Sequence, residues 1–398
     1  MLMVSPAAPW PATTGGLVRI AGILRQMTRH FDVTLVSARR PEQACPAGLS
    51  FRSACPAIGD PGPVRRGMAA LDPTRPFHAA LYARPQIARV ARRELATGSY
   101  DLVYSHFIYG VQYFRNARVP VIVDQQNVDR RYWHNKAVHS SFPLSLYAAW
   151  NTRRTIAYES RMLPSIWAYV SVSDEDRDQT RAYAAPQVKH FWVAANGVDT
   201  GRFTPAPDRA PSGEVTLGYL GSMDLQMNIE AVHRFGEQLL PQIRQAAPEI
   251  DFRFVVIGRE PADSLKRLAT SVPGVSLSGT VDDVVPWLQK VDVLVSPLRI
   301  GAGTKLKVAE AMACGLPVVG SALAFAGLPG RSGEHFVLAD SEAGFVTAVC
   351  RLARDPIERS RVGRNARELA TRSLDWDAIG DRLADDIRGG LARRRRIA

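Results

Sequence analysis

The chain has 398 residues, with 50 Lys and Arg against 38 Asp and Glu for a formal net charge of +12, and 46% of its residues are hydrophobic. That balance excludes disordered and collagen-like chains and predicts packed cores, while the length favours two domains. Only six cations are lysines and 44 are arginines, a skew spread over the whole chain, so the charge by itself does not point to nucleic acid.

Short β-branched runs predict strands over 2–5, 32–37, 101–105, 120–124, 168–173 and 192–195. Between them lie amphipathic stretches such as 17–29, with Ile20, Ile23, Leu24 and Met27 at helical spacing. The proline-rich run TPAPDRAPSG (204–213) reads as a linker, after which the pattern restarts. Strands are predicted over 215–220, 252–257, 275–278, 291–296 and 317–320, and helices over 228–246, 281–291 and 305–314. Residues 375–396 form a last helical pattern ending in four arginines. Such β/α alternation builds parallel sheets covered by helices on both faces. The expected architecture is α/β, with two Rossmann-like domains (1–205 and 206–374) facing across a cleft, and a C-terminal helix and basic tail (375–398) that packs back on the first domain.

Cys45, Cys55, Cys314 and Cys350 show no zinc-ligand spacing and are too few for a disulfide scaffold. No signal-peptide pattern opens the chain and no apolar run reaches a membrane span, so a cytoplasmic, soluble or peripheral protein is expected. No metal site is expected either: Asp282 and Asp283 are adjacent rather than spaced, and His134 and His139 do not share a helix face. The acidic run 173–178 reads as a helix start, with Ser173 capping and Asp176 closing the box.

The most informative stretch is SPLRIGAGTKLKVAEAMACGLPVVG (296–320). A strand end, a loop holding Gly301, Ala302, Gly303 and Thr304, and an immediate helix start suit a diphosphate, because backbone N–H groups and the helix dipole converge there. Lys305 and Lys307 oppose that dipole unless an anion is bound; two solvated lysines beside an ordinary loop are the bland alternative. Glu310, in a helix otherwise small and apolar, is spaced to accept ribose hydroxyls, against an exposed surface glutamate as the alternative. Asp124, Gln125 and Asn127 follow a strand's carboxyl end, where an acceptor would bind, with a plain polar loop as the competing reading.

Taken with ANGVDTGRF (195–203), YLGSMDLQMNIEAV (219–232) and TTGGLVRIAGILRQM (13–27), the stretch GAGTKLKVAEAMACGLPVV resembles glycosyltransferase family 4 over nearly the whole chain. The resemblance implies a GT-B fold and retaining sugar transfer from a nucleotide diphosphate sugar, with no cofactor and no metal, to a sugar, lipid-linked or small-molecule acceptor. It implies that Gly15 and Gly16 lie against donor phosphate and acceptor, that His106 is the catalytic histidine near the reacting sugar, and that Lys305 and Lys307 hold the diphosphate. Glu310 would hold ribose, Gly221 and the 301–304 loop would border the donor, and Gly279 and Val281 would meet its base, largely through backbone.

Two departures matter. The first glutamate of the family's Glu-x7-Glu pattern is Ala302 here, so no carboxylate nucleophile follows from the motif. The Arg and Lys that many members carry after the first strand of the second domain are replaced by Ser222, Met223, Asp224 and Asn228, leaving Lys305, Lys307 and Arg259 to supply the charge. Without a nucleophile, attack from the front face with the leaving phosphate taking the proton is the expected chemistry. The alternatives are a non-catalytic module binding nucleotide sugars or anionic surfaces, encouraged by Ala302 and the arginine tail, and a nucleotide-sugar epimerase. Arg393, Arg394, Arg395 and Arg396 suit an anionic inner membrane leaflet.

Overall fold

The protein is described by a computed structural model covering residues 1–12, 14–38, 48–56, 58–59, 61–206, 213–301 and 305–397. The chain divides into two compact units, Met1–Ala195 with Gly380–Ala398, and Asn196–Ile379.

The first unit holds a seven-stranded sheet: β1 (Leu2–Val4), β2 (Thr34–Val36), β3 (Arg52–Ser53), β4 (Val103–His106), β5 (Val121–Asp124), β6 (Ala168–Ser171) and β7 (His190–Val193). Its order is β3-β2-β1-β4-β5-β6-β7, and every pairing is parallel. All residues of β1, β2, β4, β5 and β6 are buried, as expected of strands covered on both faces by crossover helices. The Gly15–His30 helix turns Ile20, Ile23, Leu24 and Met27 inward and is capped by Thr14, whose Oγ1 accepts from Leu17 N. At 173–178 the expected cap is present: Ser173 Oγ accepts from Asp176 N at 3.1 Å. The end of the Trp376–Ile397 helix belongs to this unit. Asp381 meets His30 Nε2 at 2.8 Å, Arg395 meets Asp101 at 2.8 Å, and a Cβ on Gly390 would strike Trp167.

The second unit holds six parallel strands in the order β10-β9-β8-β11-β12-β13: β8 (Glu214–Leu220), β9 (Asp251–Ile257), β10 (Val275–Leu277), β11 (Val293–Ser296), β12 (Val318–Gly320) and β13 (Val337–Leu338). β8 and β9 pair over seven residues, and Phe254 of β9 packs on Phe235 with ring centroids 4.5 Å apart. The helix expected over 228–246 runs from Gln226 to Ala246 but is wound as a π-helix over Phe235–Leu239. Pro241 follows at once; it lacks an N–H and its ring clashes with the carbonyl four residues earlier, so a wider turn ahead of it relieves both. The stretch expected as a helix over 281–291 keeps helical form only over Val285–Leu288. Strands β3 and β13, two residues each, were not among the predicted ones.

Candidate functional site

In the second sheet the chain leaves β8 to one side, toward β9, while β11 lies on the other, so the strand order switches between β8 and β11. Ligands of parallel sheets bind outside the carboxyl ends of strands at such a point. The loop after β8 begins at Gly221 and the loop after β11 leads to the Leu306–Ala313 helix, with Lys305 at its N-cap. Lys307 reaches across the switch: its Nζ donates to Asn228 Oδ1 at 2.6 Å and to Tyr219 Oη at 2.8 Å, and lies 4.2 Å from the Tyr219 ring centroid. Tyr219 Oη donates in turn to Asn228 Oδ1 at 2.8 Å, and Asn228 Nδ2 donates to Ser222 O at 2.7 Å. The ammonium is thus fixed by two oxygens and a ring face at the head of a helix.

Glycine is required beside it. A Cβ on Gly221 would stand 2.8 Å from Asn228 Nδ2 and 3.0 Å from Lys307 Nζ, and one on Gly258, after β9, would stand 1.7 Å from Gly221 O. Gly221→Ala is therefore expected to push Asn228 and Lys307 out of register, costing about 1–3 kcal/mol of stability and weakening nucleotide binding. Thermal melting and calorimetric titration with GDP or UDP check this; parent-like affinity would separate Gly221 from the site. Gly301 has φ +126°, and a Cβ there would stand 2.7 Å from Met227 Cε and 3.5 Å from Lys305 Nζ, so this loop too comes close to its neighbours.

Charge at this spot is poised. Burial, with Lys305 adding to it and Glu310 opposing, lowers Lys307 to about 7. Burial lowers Lys305 to about 8. Glu310, half-buried one turn along the helix, is raised by burial to about 7 against the pull of Arg202 and Lys307. Arg259 is exposed and its Nε donates to Ser222 Oγ at 2.8 Å, on the same loop as Gly221. Gly279 has φ +66° with open space where a Cβ would be, and Val281 is half-buried nearby in sequence. Gly303 and Thr304, together with Ala302, lie outside the described residues. Tyr219, which is not among the expected site residues, and Asn228, expected only where a cation is lost, both hold Lys307.

The expected residues of the first unit are placed differently. Gly15 and Gly16 open the Gly15–His30 helix, Gly15 exposed, and Gln126 Nε2 donates to Gly16 O at 3.2 Å. Asn127 is exposed. Asp124 and Gln125, expected to touch an acceptor, are buried. Asp124 takes Arg19 Nε at 3.0 Å and Nη2 at 2.5 Å on its Oδ1, while its Oδ2 lies 3.1 Å from His106 Nδ1. Burial would raise the Asp124 carboxyl, but Arg19 and His106 outweigh it and hold it at about 2. Gln125 accepts from Ile108 N and donates to Asp129 Oδ2, each at 2.9 Å. His106 is 1% exposed, so its ring is a wall of this core and reaches no surface. Arg19, absent from the expected set, ties the cluster together and also donates to Ala194 O at 2.8 Å.

Among the described residues no group of three or more His, Cys, Asp and Glu could hold a metal ion, and no helix is long and apolar enough to cross a membrane.

Comparison with known proteins agrees with this architecture. Residues 214–355 match the family model described as glycosyl transferases group 1. A GDP-mannose-dependent monoacylated alpha-(1-6)-phosphatidylinositol monomannoside mannosyltransferase of Corynebacterium glutamicum is 27% identical over 236 residues, 55% of this chain and 61% of that one. A GDP-mannose-dependent alpha-(1-6)-phosphatidylinositol monomannoside mannosyltransferase of Mycolicibacterium smegmatis is 30% identical over 48% of this chain and 55% of its own. The matched region therefore spans a little over half the length of these relatives. Sucrose-phosphate synthase of Thermosynechococcus elongatus superposes with a TM-score of 0.71 at 15% identity, covering 98% of this chain and 99% of its own, a likeness of fold. The chain thus has the GT-B fold of two parallel Rossmann-like sheets, and its residues 214–355 are similar to the glycosyl transferases of group 1.

Proposed function

We propose that this protein transfers a sugar from a nucleoside diphosphate sugar to an acceptor hydroxyl, with retention at the anomeric carbon and without a metal, in glycolipid or glycan synthesis. The observation that carries the reading is the Lys307 ammonium, held by Tyr219 and Asn228 against Gly221 at the sheet's switch point. Breaking the bond from the anomeric carbon to the β-phosphate oxygen leaves charge on that oxygen. A fixed ammonium with helix N–H groups beside it stabilises this charge as it develops. The acceptor oxygen then bonds to the same face of the carbon and its proton passes to the leaving phosphate. Glu310, a turn further along, accepts the ribose hydroxyls. The two mannosyltransferase relatives make GDP-mannose the first donor to try. Purified protein with GDP-mannose and a phosphatidylinositol mannoside should yield an α-linked product by NMR; an inverted centre would overturn the mechanism, and absence of nucleoside diphosphate release from every nucleotide sugar would leave a binding module.

A pH profile follows from the two groups near 7. The diphosphate needs Lys307 protonated, so affinity is lost as pH rises above the lysine's value; the ribose needs Glu310 ionised, so affinity is lost as pH falls below the glutamate's. GDP or UDP affinity is expected to peak near neutrality and fall by up to about tenfold per pH unit on each side. An anion raises the lysine's value, so binding on the alkaline side should take up a proton, read as a buffer-dependent heat. A flat profile would remove both side chains from the nucleotide.

A further inference from the structure

The first unit carries two groups of exposed apolar side chains. On the Pro63–Ala70 helix and just after it, Val64, Met68 and Leu71 recur at helical spacing and are 78%, 69% and 77% exposed. A second group lies at the start of the Leu144–Met162 helix and the turn before it: Phe142 is 79% exposed, Leu146 65% and Trp150 39%. The two groups are joined through Arg154. Its guanidinium stacks 3.5 Å above the Trp150 ring, and it donates to the carbonyls of Ala70, Asp72 and Arg75, on either side of Leu71. Arg161 Nη2 to Thr74 O at 2.7 Å and Phe77 N to Asn151 Oδ1 at 3.0 Å fasten the same segment to the helix. Large apolar side chains exposed together in this way mark a surface that meets something other than water.

Charge identifies the occupant. Residues 63–76 and 131–157 contain seven Lys and Arg and a single acid, Asp72, whose carboxylate is already taken by Arg75 and Thr74. Arg66 and Arg153 are exposed beside the apolar residues, and Lys136 lies 5.4 Å from the Trp133 ring. A second copy of this surface would bring like charges together, whereas an anionic lipid surface accepts both the apolar side chains and the cations around them. We infer that this face, rather than the terminal arginines, seats the protein on an anionic bilayer, with Met68, Leu71, Phe142 and Leu146 entering the headgroup boundary. Arg395 of the tail is by contrast paired with Asp101 on its own unit. The inference extends the lipid-linked acceptor named above, and its test needs no turnover.

The full chain is floated with phosphatidylcholine vesicles, alone or mixed with phosphatidylglycerol. The parent should bind the mixed vesicles and release from them as salt rises. Met68→Asp with Phe142→Asp should weaken partition by at least about tenfold while melting temperature and nucleotide affinity stay at parent values. If that pair lowers the melting temperature, Val64→Ser with Leu71→Ser must weaken partition in its place. Unchanged partition in the folded variants would overturn the inference, as would partition lost only in Arg394→Ala with Arg396→Ala. A parent that ignores vesicles but forms a dimer broken by Met68→Asp would assign the face to a second copy. Vesicle binding without sugar transfer from any donor would count against the proposed reaction and leave this surface standing.

Discussion

Replacing Lys307 by Met is expected to lower kcat for donor cleavage by about 10²–10³-fold, the range for losing one preorganised donor to a developing anion, with little change in fold. The ammonium reaches across from the β11 side to the β8 side, beside Gly221. Its loss leaves Tyr219 Oη still donating to Asn228 Oδ1, so no buried oxygen is stranded. Folding should not suffer, because burial already disfavours the charged lysine: with its folded value near 7, below the ordinary 10.5, a penalty is present in full below pH 7 and fades as pH rises toward the unfolded value. The variant should thus melt no lower than the parent at neutral pH while turning over far more slowly. Lys307→Arg should fail to rescue, since a planar guanidinium needs more room than the space bounded by Gly221, Asn228 and Tyr219. Parent-like turnover in the Met variant, measured as nucleotide release, would remove Lys307 from the reaction.

The local part of this candidate site is legible in the sequence. Small residues followed by a helix bearing two lysines suit an anion because the physics of a helix start is local, and the parallel sheets follow from runs of buried residues between helical stretches. What was not legible is which side chains meet. Lys307 finds Tyr219 and Asn228 at separations of 88 and 79 residues, set by the order of strands rather than by any motif. A signal did exist: Asn228 shares an inward row with Ala231, Val232 and Phe235, and a polar residue on a buried row requires a partner. Asp124 misled for the opposite reason. A strand's carboxyl end suggests a binding loop, yet this carboxylate is still within β5, and its neighbours close over it. The edge strands β3 and β13 are too short for alternation to register.

Asp124→Asn is expected to destabilise the protein by about 3–5 kcal/mol at neutral pH, the cost of leaving one member of a buried ion pair without its counter-charge. Arg19 lies on the row Arg19, Ile23, Met27 of an inward helix face and is 1% exposed, so it cannot turn to water when the carboxylate is gone. The amide would keep the shape and could accept one guanidinium bond, but it neutralises nothing, and its N–H groups would point toward cationic donors. His106, 3.1 Å from Asp124 Oδ2, would lose the charge that faces its Nδ1. The parent should show the matching pH response. Asp124 is held near 2, below its ordinary 3.8, so its contribution is complete above about pH 4 and is lost as pH falls through 2. The parent and Asp124→Asn should therefore differ most at neutral pH and converge in acid, whereas Asn127→Ala, on an exposed residue three positions on, should melt with the parent throughout. Thermal melting of the three proteins over that range measures it, and a gap that stays constant down to pH 2 would mean that the charge of Asp124 is not what holds the first unit's core.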